Sequence, residues 1–106
     1  MKKKLGIVAW FDKHTGDGQI WDLENGGWLF VHYSAINSLD DFRKLDKYDL
    51  VEFSVYSNLY MSQVDRVKVL EPEYTEDLSR INDALDLLLQ MGYDILRVEP
   101  KYGVEL

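Results

Sequence analysis

Residues 19–33, with the sequence QIWDLENGGWLFVHY, have the pattern of a β-hairpin. Two runs rich in aromatic and β-branched residues, 19–23 and 28–33, flank the turn sequence ENGG at 24–27. An Asn-Gly pair next to such a run is a strong local signal for a tight turn between antiparallel strands. The sequence therefore predicts that these two runs pair with each other.

Further strands are predicted on both sides of this hairpin. Residues 3–12 are rich in aromatic and β-branched side chains and lead into turn-forming residues at 12–18. Residues 50–56 and 63–70 alternate apolar and polar side chains around a turn at 57–59. Five short strands in so short a segment indicate a mainly β fold that closes into a small barrel.

The C-terminal third has a different periodicity. Its large apolar residues recur at spacings of three and four, namely at Leu78, Ile81, Leu85 and Leu88. This spacing predicts an amphipathic helix over about residues 76–91. Thr75 is expected to cap the N-terminus of the helix, and Gly92 suits a left-handed C-terminal cap. Residues 93–98 are predicted to add a sixth strand.

The acidic charge of the chain lies mainly in this C-terminal third. The whole chain of 106 residues has a net charge of −7. Residues 1–70 carry nine basic and ten acidic side chains, whereas residues 71–106 carry three basic and nine acidic ones. An acidic total argues against nucleic-acid binding, which depends on Lys and Arg, but the first part alone is nearly neutral. We therefore divide the chain into a barrel, residues 1–70, and an acidic extension, residues 71–106.

The composition argues against several classes of protein. The chain has no cysteine, which leaves no disulfide, no thiolate zinc site and no cysteine nucleophile, and its two histidines are too few for most histidine-based metal sites. It contains neither a Gly-rich phosphate loop nor a serine nucleophile motif, so we expect a non-enzyme without cofactor or metal. Since no cleavable signal peptide and no membrane-length apolar run is apparent, we expect a cytoplasmic protein with no membrane partner.

Three segments carry a resemblance to a known family. The segments are LGIVAWFD at 5–12, TGDGQI at 15–20 and FVHYSAI at 30–36. They resemble the G-x-V-K-W-F, K-G-F-G-F-I and V-F-V-H-F-S-A-I motifs of the cold-shock domain, and the resemblance extends over residues 3–70. It implies a five-stranded OB-fold barrel that binds single-stranded RNA or DNA. The C-terminal α-helical extension lies outside the resemblance.

The resemblance also implies a nucleic-acid-binding surface of aromatic side chains. Trp10, Phe30 and His32 match motif positions at which the family stacks bases. Because side chains alternate along a strand, Trp21 and Trp28 are expected on the same side of the sheet as Phe30 and His32. We predict nucleic-acid contacts from seven residues: Trp10, Phe11, Trp21, Trp28, Phe30, His32 and Tyr33.

Trp21 and Trp28 have a second interpretation, because the family pattern contains neither. A soluble monomer seldom leaves an aromatic patch of this size bare, so bases, another protein or the chain's own extension should cover it. The helix at 76–91 either packs on the barrel against one of these tryptophans or forms the seam of a homodimer. We favour packing within one chain.

Several positions of the predicted surface depart from the family pattern. Asp17 and Gln19 stand where the family has two aromatic platforms, Ala9 and Thr15 replace lysines, and Arg66 replaces an asparagine. At roughly 1 to 3 kcal/mol for each stacked base, the loss of two platforms costs about 2 to 6 kcal/mol of binding free energy. We therefore expect weak binding of single-stranded RNA or DNA.

A protein-interaction module is the alternative function. On this reading the barrel has lost nucleic-acid binding and presents Trp21, Trp28 and the acidic helix to a protein partner. An acidic surface on such a fold would imitate nucleic acid toward a basic partner.

Overall fold

The fold is known from a computed structural model that describes residues 2–36 and 44–91. Within these ranges the chain forms five strands and one helix: β1 (Lys4–Asp12), β2 (Asp17–Asp22), β3 (Trp28–His32), β4 (Leu50–Ser57), β5 (Ser62–Val69) and α1 (Thr75–Gln90). A single 3₁₀ turn, Tyr33–Ala35, follows β3. The strands are antiparallel in the order β3-β2-β1-β4-β5, and β3 approaches β5 so that the sheet nearly closes. The predicted five-stranded barrel with a C-terminal helix is confirmed.

The β2–β3 hairpin has the predicted pairing, with Trp21 opposite Trp28 at its turn end. Gly26 and Gly27 adopt φ values of 76° and 100°, in the left-handed region that glycine enters without steric cost. The Asp22 carboxylate accepts hydrogen bonds from two backbone N–H groups of the turn, at 2.9 and 3.0 Å. Local sequence chemistry thus fixes the register of this hairpin.

A β-bulge in β1 determines where Trp10 points. Val8 lies opposite Ile20, but Trp10 lies opposite Gln19, so Ala9 is an extra residue in β1. In a regular strand residues 8 and 10 would share one face. The bulge breaks this alternation, and Val8 is fully buried while Trp10 is 44% exposed.

The barrel interior is filled by one apolar cluster, contributed by the inward faces of all five strands and by the β3–β4 connection. Its members are Val8, Ile20, Val31, Ile36, Leu45, Val51, Phe53, Val64 and Val67. A Cβ atom at Gly6 would lie 2.7 Å from Ile20 Cγ2 and 2.8 Å from Phe53 Cε1. Glycine at this position therefore allows the close packing of the inner cluster.

A second apolar cluster, which we call the helix-bound cluster, joins α1 to the outer face of the sheet. It combines Leu5, Ile7, Leu23, Leu50 and Leu70 of the barrel with Ile81, Ala84 and Leu88 of α1. Trp21 is partly buried against this cluster. Packing of the helix within one chain is thus confirmed, and Trp21 packs against the cluster that helix and barrel share. The homodimer seam loses the apolar face on which it depended.

The rotation of α1 about its own axis differs from the sequence prediction. Leu78 was expected in the buried face but is 44% exposed, whereas Ala84 is fully buried. The buried stripe begins instead at Asp77, which is 3% exposed. Its carboxylate accepts hydrogen bonds from Lys68 Nζ at 2.9 Å and from the backbone N–H of Glu71 at 3.0 Å. These polar contacts turn Asp77 toward the barrel and Leu78 away from it.

The ends of α1 also require correction. Thr75 was expected to be the N-cap, but Tyr74 occupies this position without a side-chain hydrogen bond, and Thr75 is the first helical residue. Helix α1 ends at Gln90, and Gly92 and the strand predicted at 93–98 lie outside the described residues. Within the described ranges, no helix has both the length and the apolar character needed to cross a membrane.

Candidate nucleic-acid interface

The outer face of β1, β2 and β3 is divided between α1 and solvent. The end that carries Trp21 is covered by the helix-bound cluster. The remainder holds what we call the aromatic surface, which consists of Trp10, Trp28, Phe30, His32 and Tyr33. The exposed fractions are 44% for Trp10, 53% for Trp28, and 47% for both Phe30 and Tyr33. Large rings on β1, on β3 and in the 3₁₀ turn are thus available to a ligand.

Trp10 and Phe30 belong to one cross-strand row with Gln19 between them. The Gln19 side-chain oxygen accepts a hydrogen bond from Trp10 Nε1 at 3.0 Å. Gln19 therefore provides no aromatic platform, but it orients the indole ring of its neighbour. The row exposes two rings, Trp10 and Phe30, for stacking with planar groups.

His32 and Tyr33 form the next part of the surface. His32 Nδ1 accepts the backbone N–H of Ser34 at 3.3 Å and lies 2.8 Å from the Ser34 hydroxyl oxygen. In the neutral imidazole this leaves the proton on Nε2, which is then free to donate to a ligand. The rings of His32 and Tyr33 lie with their centroids 4.4 Å apart. Together they extend the exposed aromatic area toward the 3₁₀ turn.

Trp21 and Trp28 act as a pair rather than as two equal ligand contacts. Their ring centroids are 4.5 Å apart at an interplanar angle of 70°, an edge-to-face arrangement. Trp21 packs against the helix-bound cluster, whereas Trp28 is exposed. The contact with Trp21 therefore holds the exposed ring of Trp28 in place. Phe11 is likewise partly buried, against the inner cluster. Five of the seven predicted residues therefore present their rings at or near the surface.

The charges around the aromatic surface do not favour phosphate. Asp17 lies directly opposite His32 on the neighbouring strand. Lys4 Nζ is bound to Asp22 at 2.8 Å, and Lys13 Nζ lies 3.5 Å from Asp46. Cations that are already paired contribute less to counterion release, so Lys4 and Lys13 add little electrostatic attraction for nucleic acid.

A pocket of about 270 Å³ opens beside Phe30, between β3 and β5. It is lined by Phe30, His32, Ser34, Ala35, Gln63, Val64 and Asp65. The sequence analysis did not single out Gln63 or Asp65, because strand periodicity does not show that β5 closes onto β3. Among the described residues, no three His, Asp or Glu side chains are grouped as metal ligands would be.

Comparisons with known proteins agree with this architecture. The family model described as "'Cold-shock' DNA-binding domain" matches residues 4–69. The chain is 41% identical over 63 residues to the cold shock protein CspC of Bacillus subtilis, which covers 59% of this chain and 92% of CspC. It is 42% identical over 53 residues to the cold shock-like protein CspB of Yersinia pestis, covering 50% of this chain and 74% of CspB.

A solved structure of Drosophila Unr, titled "drosophila Unr CSD456", superimposes with a TM-score of 0.54 and 30% sequence identity. The similarity covers 72% of this chain but only 30% of the Unr chain. The matched segment of the family model contains all five strands and the whole aromatic surface, and it ends before α1. The chain therefore belongs to the cold-shock domain family.

Proposed function

We propose that this protein binds single-stranded RNA or DNA, with low affinity, through the aromatic surface. The family is generally nucleic-acid binding. The observation that carries the proposal is the exposure of Trp10, Phe30 and Tyr33, each close to half exposed, on the outer face of the barrel. Unpaired bases stack on rings of this kind, whereas bases inside a duplex do not offer their faces.

Low affinity follows from the balance between stacking and charge. Each stacked base contributes roughly 1 to 3 kcal/mol, so the exposed rings supply the main attraction. Asp17 stands beside His32, and Lys4 and Lys13 are engaged in ion pairs. The surface therefore holds bases more effectively than it holds the phosphate backbone. We assign the protein no catalytic role.

Trp fluorescence provides the direct test. Titration with a short single-stranded oligonucleotide should quench emission, because Trp10 and Trp28 lie on the surface. The apparent affinity should fall as the salt concentration rises. No quenching at low salt and near-millimolar oligonucleotide would contradict the proposal.

Protein interaction is the second candidate, and one observation favours it. Trp28 is 53% exposed beside the helix-bound cluster, and α1 carries exposed Asp83 and Asp86. An aromatic ring next to an acidic helix suits a basic protein partner. If oligonucleotides do not bind, this function takes precedence, and Trp28→Ala should abolish partner binding.

A further inference from the structure

The pocket between β3 and β5 combines an aromatic wall with a polar wall. Phe30 and His32 form the aromatic wall, and Gln63 and Asp65 of β5 line the opposite side. Its volume of about 270 Å³ is slightly below the roughly 300 Å³ at which pockets for drug-sized ligands begin. It therefore has room for one planar ring system and not for several.

Asp65 occupies its place in this pocket because of a β-bulge. Ser54 of β4 lies opposite Arg66, but the next residue, Val55, lies opposite Val64. Asp65 is thus the extra residue of β5 and has no partner across the ladder. Bulges re-aim side chains, and here the bulge coincides with the lining of a pocket.

The Asp65 carboxylate is available to a ligand. Within residues 2–36 and 44–91, no hydrogen bond or ion pair engages this side chain. A carboxylate accepts hydrogen bonds and donates none, whereas the Gln63 amide does both. Of the two, only Asp65 can distinguish a base edge that carries an amino group from one whose single N–H lies between two carbonyl oxygens.

We propose that this pocket receives one unpaired base with an exocyclic amino group, and that Asp65 selects for that group. The proposal rests on the single-stranded nucleic-acid binding proposed above. The base stacks against Phe30 and His32, and its amino group donates to the Asp65 carboxylate. Thymine and uracil offer a single donor on this edge, N3–H, and the two carbonyl oxygens that flank it repel the carboxylate. An acidic residue on a nucleic-acid surface then serves base selection rather than simply weakening binding.

The test compares oligo(dC) with oligo(dT) of equal length at neutral pH, using the full chain and Trp fluorescence. Both bases are pyrimidines, so their stacking is similar and the amino group is the main difference. A hydrogen bond to a charged group corresponds to about tenfold in affinity, so the unmodified chain should bind oligo(dC) about tenfold more tightly. Asp65→Asn should reduce this ratio toward one, because the amide also donates to carbonyl oxygens.

Asp17→Asn is the matched control. It removes one negative charge from the same outer face but does not line the pocket. It should strengthen binding of both oligonucleotides by the same factor and leave their ratio unchanged. Equal affinities for oligo(dC) and oligo(dT), with Asp65→Asn acting in the same way as Asp17→Asn, would overturn base selection and leave nucleic-acid binding intact. Absence of binding to either oligonucleotide would overturn both proposals.

Discussion

Gln19 and Trp10 are joined across the β1–β2 ladder by a hydrogen bond of 3.0 Å from the indole Nε1 to the side-chain oxygen. This bond shows that a residue without an aromatic ring still contributes to the aromatic surface. Gln19 provides no stacking platform, yet it restricts the orientation of a ring that does. At this position the surface therefore has less aromatic area for stacking, but the neighbouring indole ring is held in one orientation.

Restoring two aromatic rings should strengthen nucleic-acid binding. In the double variant Asp17→Phe, Gln19→Phe two platforms are added and one negative charge is removed, while Trp10 loses its hydrogen-bond partner. We expect the affinity for single-stranded oligonucleotides to rise at least tenfold. A tenfold gain corresponds to about 1.4 kcal/mol of binding free energy, which is less than the roughly 2 to 6 kcal/mol that two platforms supply. Fluorescence titration measures the change.

Asp17→Ala, Gln19→Ala is the control for that experiment, because it removes the charge and the amide without adding rings. It should give a much smaller gain. An unchanged affinity in a folded Phe double variant would show that nucleic acid binds elsewhere.

Removal of one ring from the aromatic surface should weaken binding. Phe30→Ala deletes a ring that is 47% exposed and also lines the β3–β5 pocket. We expect a loss of roughly 1 to 3 kcal/mol, or about 5- to 150-fold in affinity. Tyr60→Ala is the control, because Tyr60 is 92% exposed but lies in the β4–β5 turn. Equal losses for both variants would argue for nonspecific aromatic contacts.

Leu88 and Leu78 should differ sharply in their effect on stability. Leu88 is 1% exposed in the helix-bound cluster, whereas Leu78 is 44% exposed. Leu88→Ala should therefore reduce the free energy of unfolding by about 2 to 5 kcal/mol. Leu78→Ala should change it by less than about 0.5 kcal/mol. Urea denaturation of both variants decides this, and the reverse order would mean that α1 docks through a different face.

The ion pair between Lys68 and Asp77 should produce a pH-dependent contribution to stability. The hydrogen bond to Asp77 raises the pKa of Lys68 above its ordinary 10.5, although burial opposes the rise. A pKa raised by folding stabilises the folded state fully at pH values below 10.5 and loses this effect as the pH climbs through the raised pKa. Since the Lys68 side chain is 43% exposed, we expect no more than about 1 kcal/mol.

Comparison of Lys68→Gln with the unmodified chain measures this contribution. Their free energies of unfolding should differ at neutral pH and converge at alkaline pH above the raised Lys68 pKa. Lys13→Gln is the control, because both side chains of its pair with Asp46 are more than half exposed. A Lys68→Gln difference that persists unchanged at alkaline pH would show that the loss is one of packing rather than charge.

The amino-acid sequence by itself determined the elements of this fold. The ENGG turn predicts the β2–β3 hairpin, because its two glycines enter the left-handed region that the turn requires. The spacing of apolar residues predicts α1 to within one residue at each end. Both signals are local, since each depends on residues close together in the chain.

Tertiary structure alone decided where side chains depart from the regular alternation of the strands and which face of α1 is buried. The bulge at Ala9 turns Trp10 outward, and the bulge at Asp65 brings a carboxylate to the pocket, but a bulge depends on the partner strand and leaves no periodic signal. The rotation of α1 depends on Asp77 meeting Lys68 of β5, a contact between two elements. The β3–β5 pocket exists because the barrel closes, which joins residues about thirty positions apart. Packing between distant segments, rather than local preference, sets these positions.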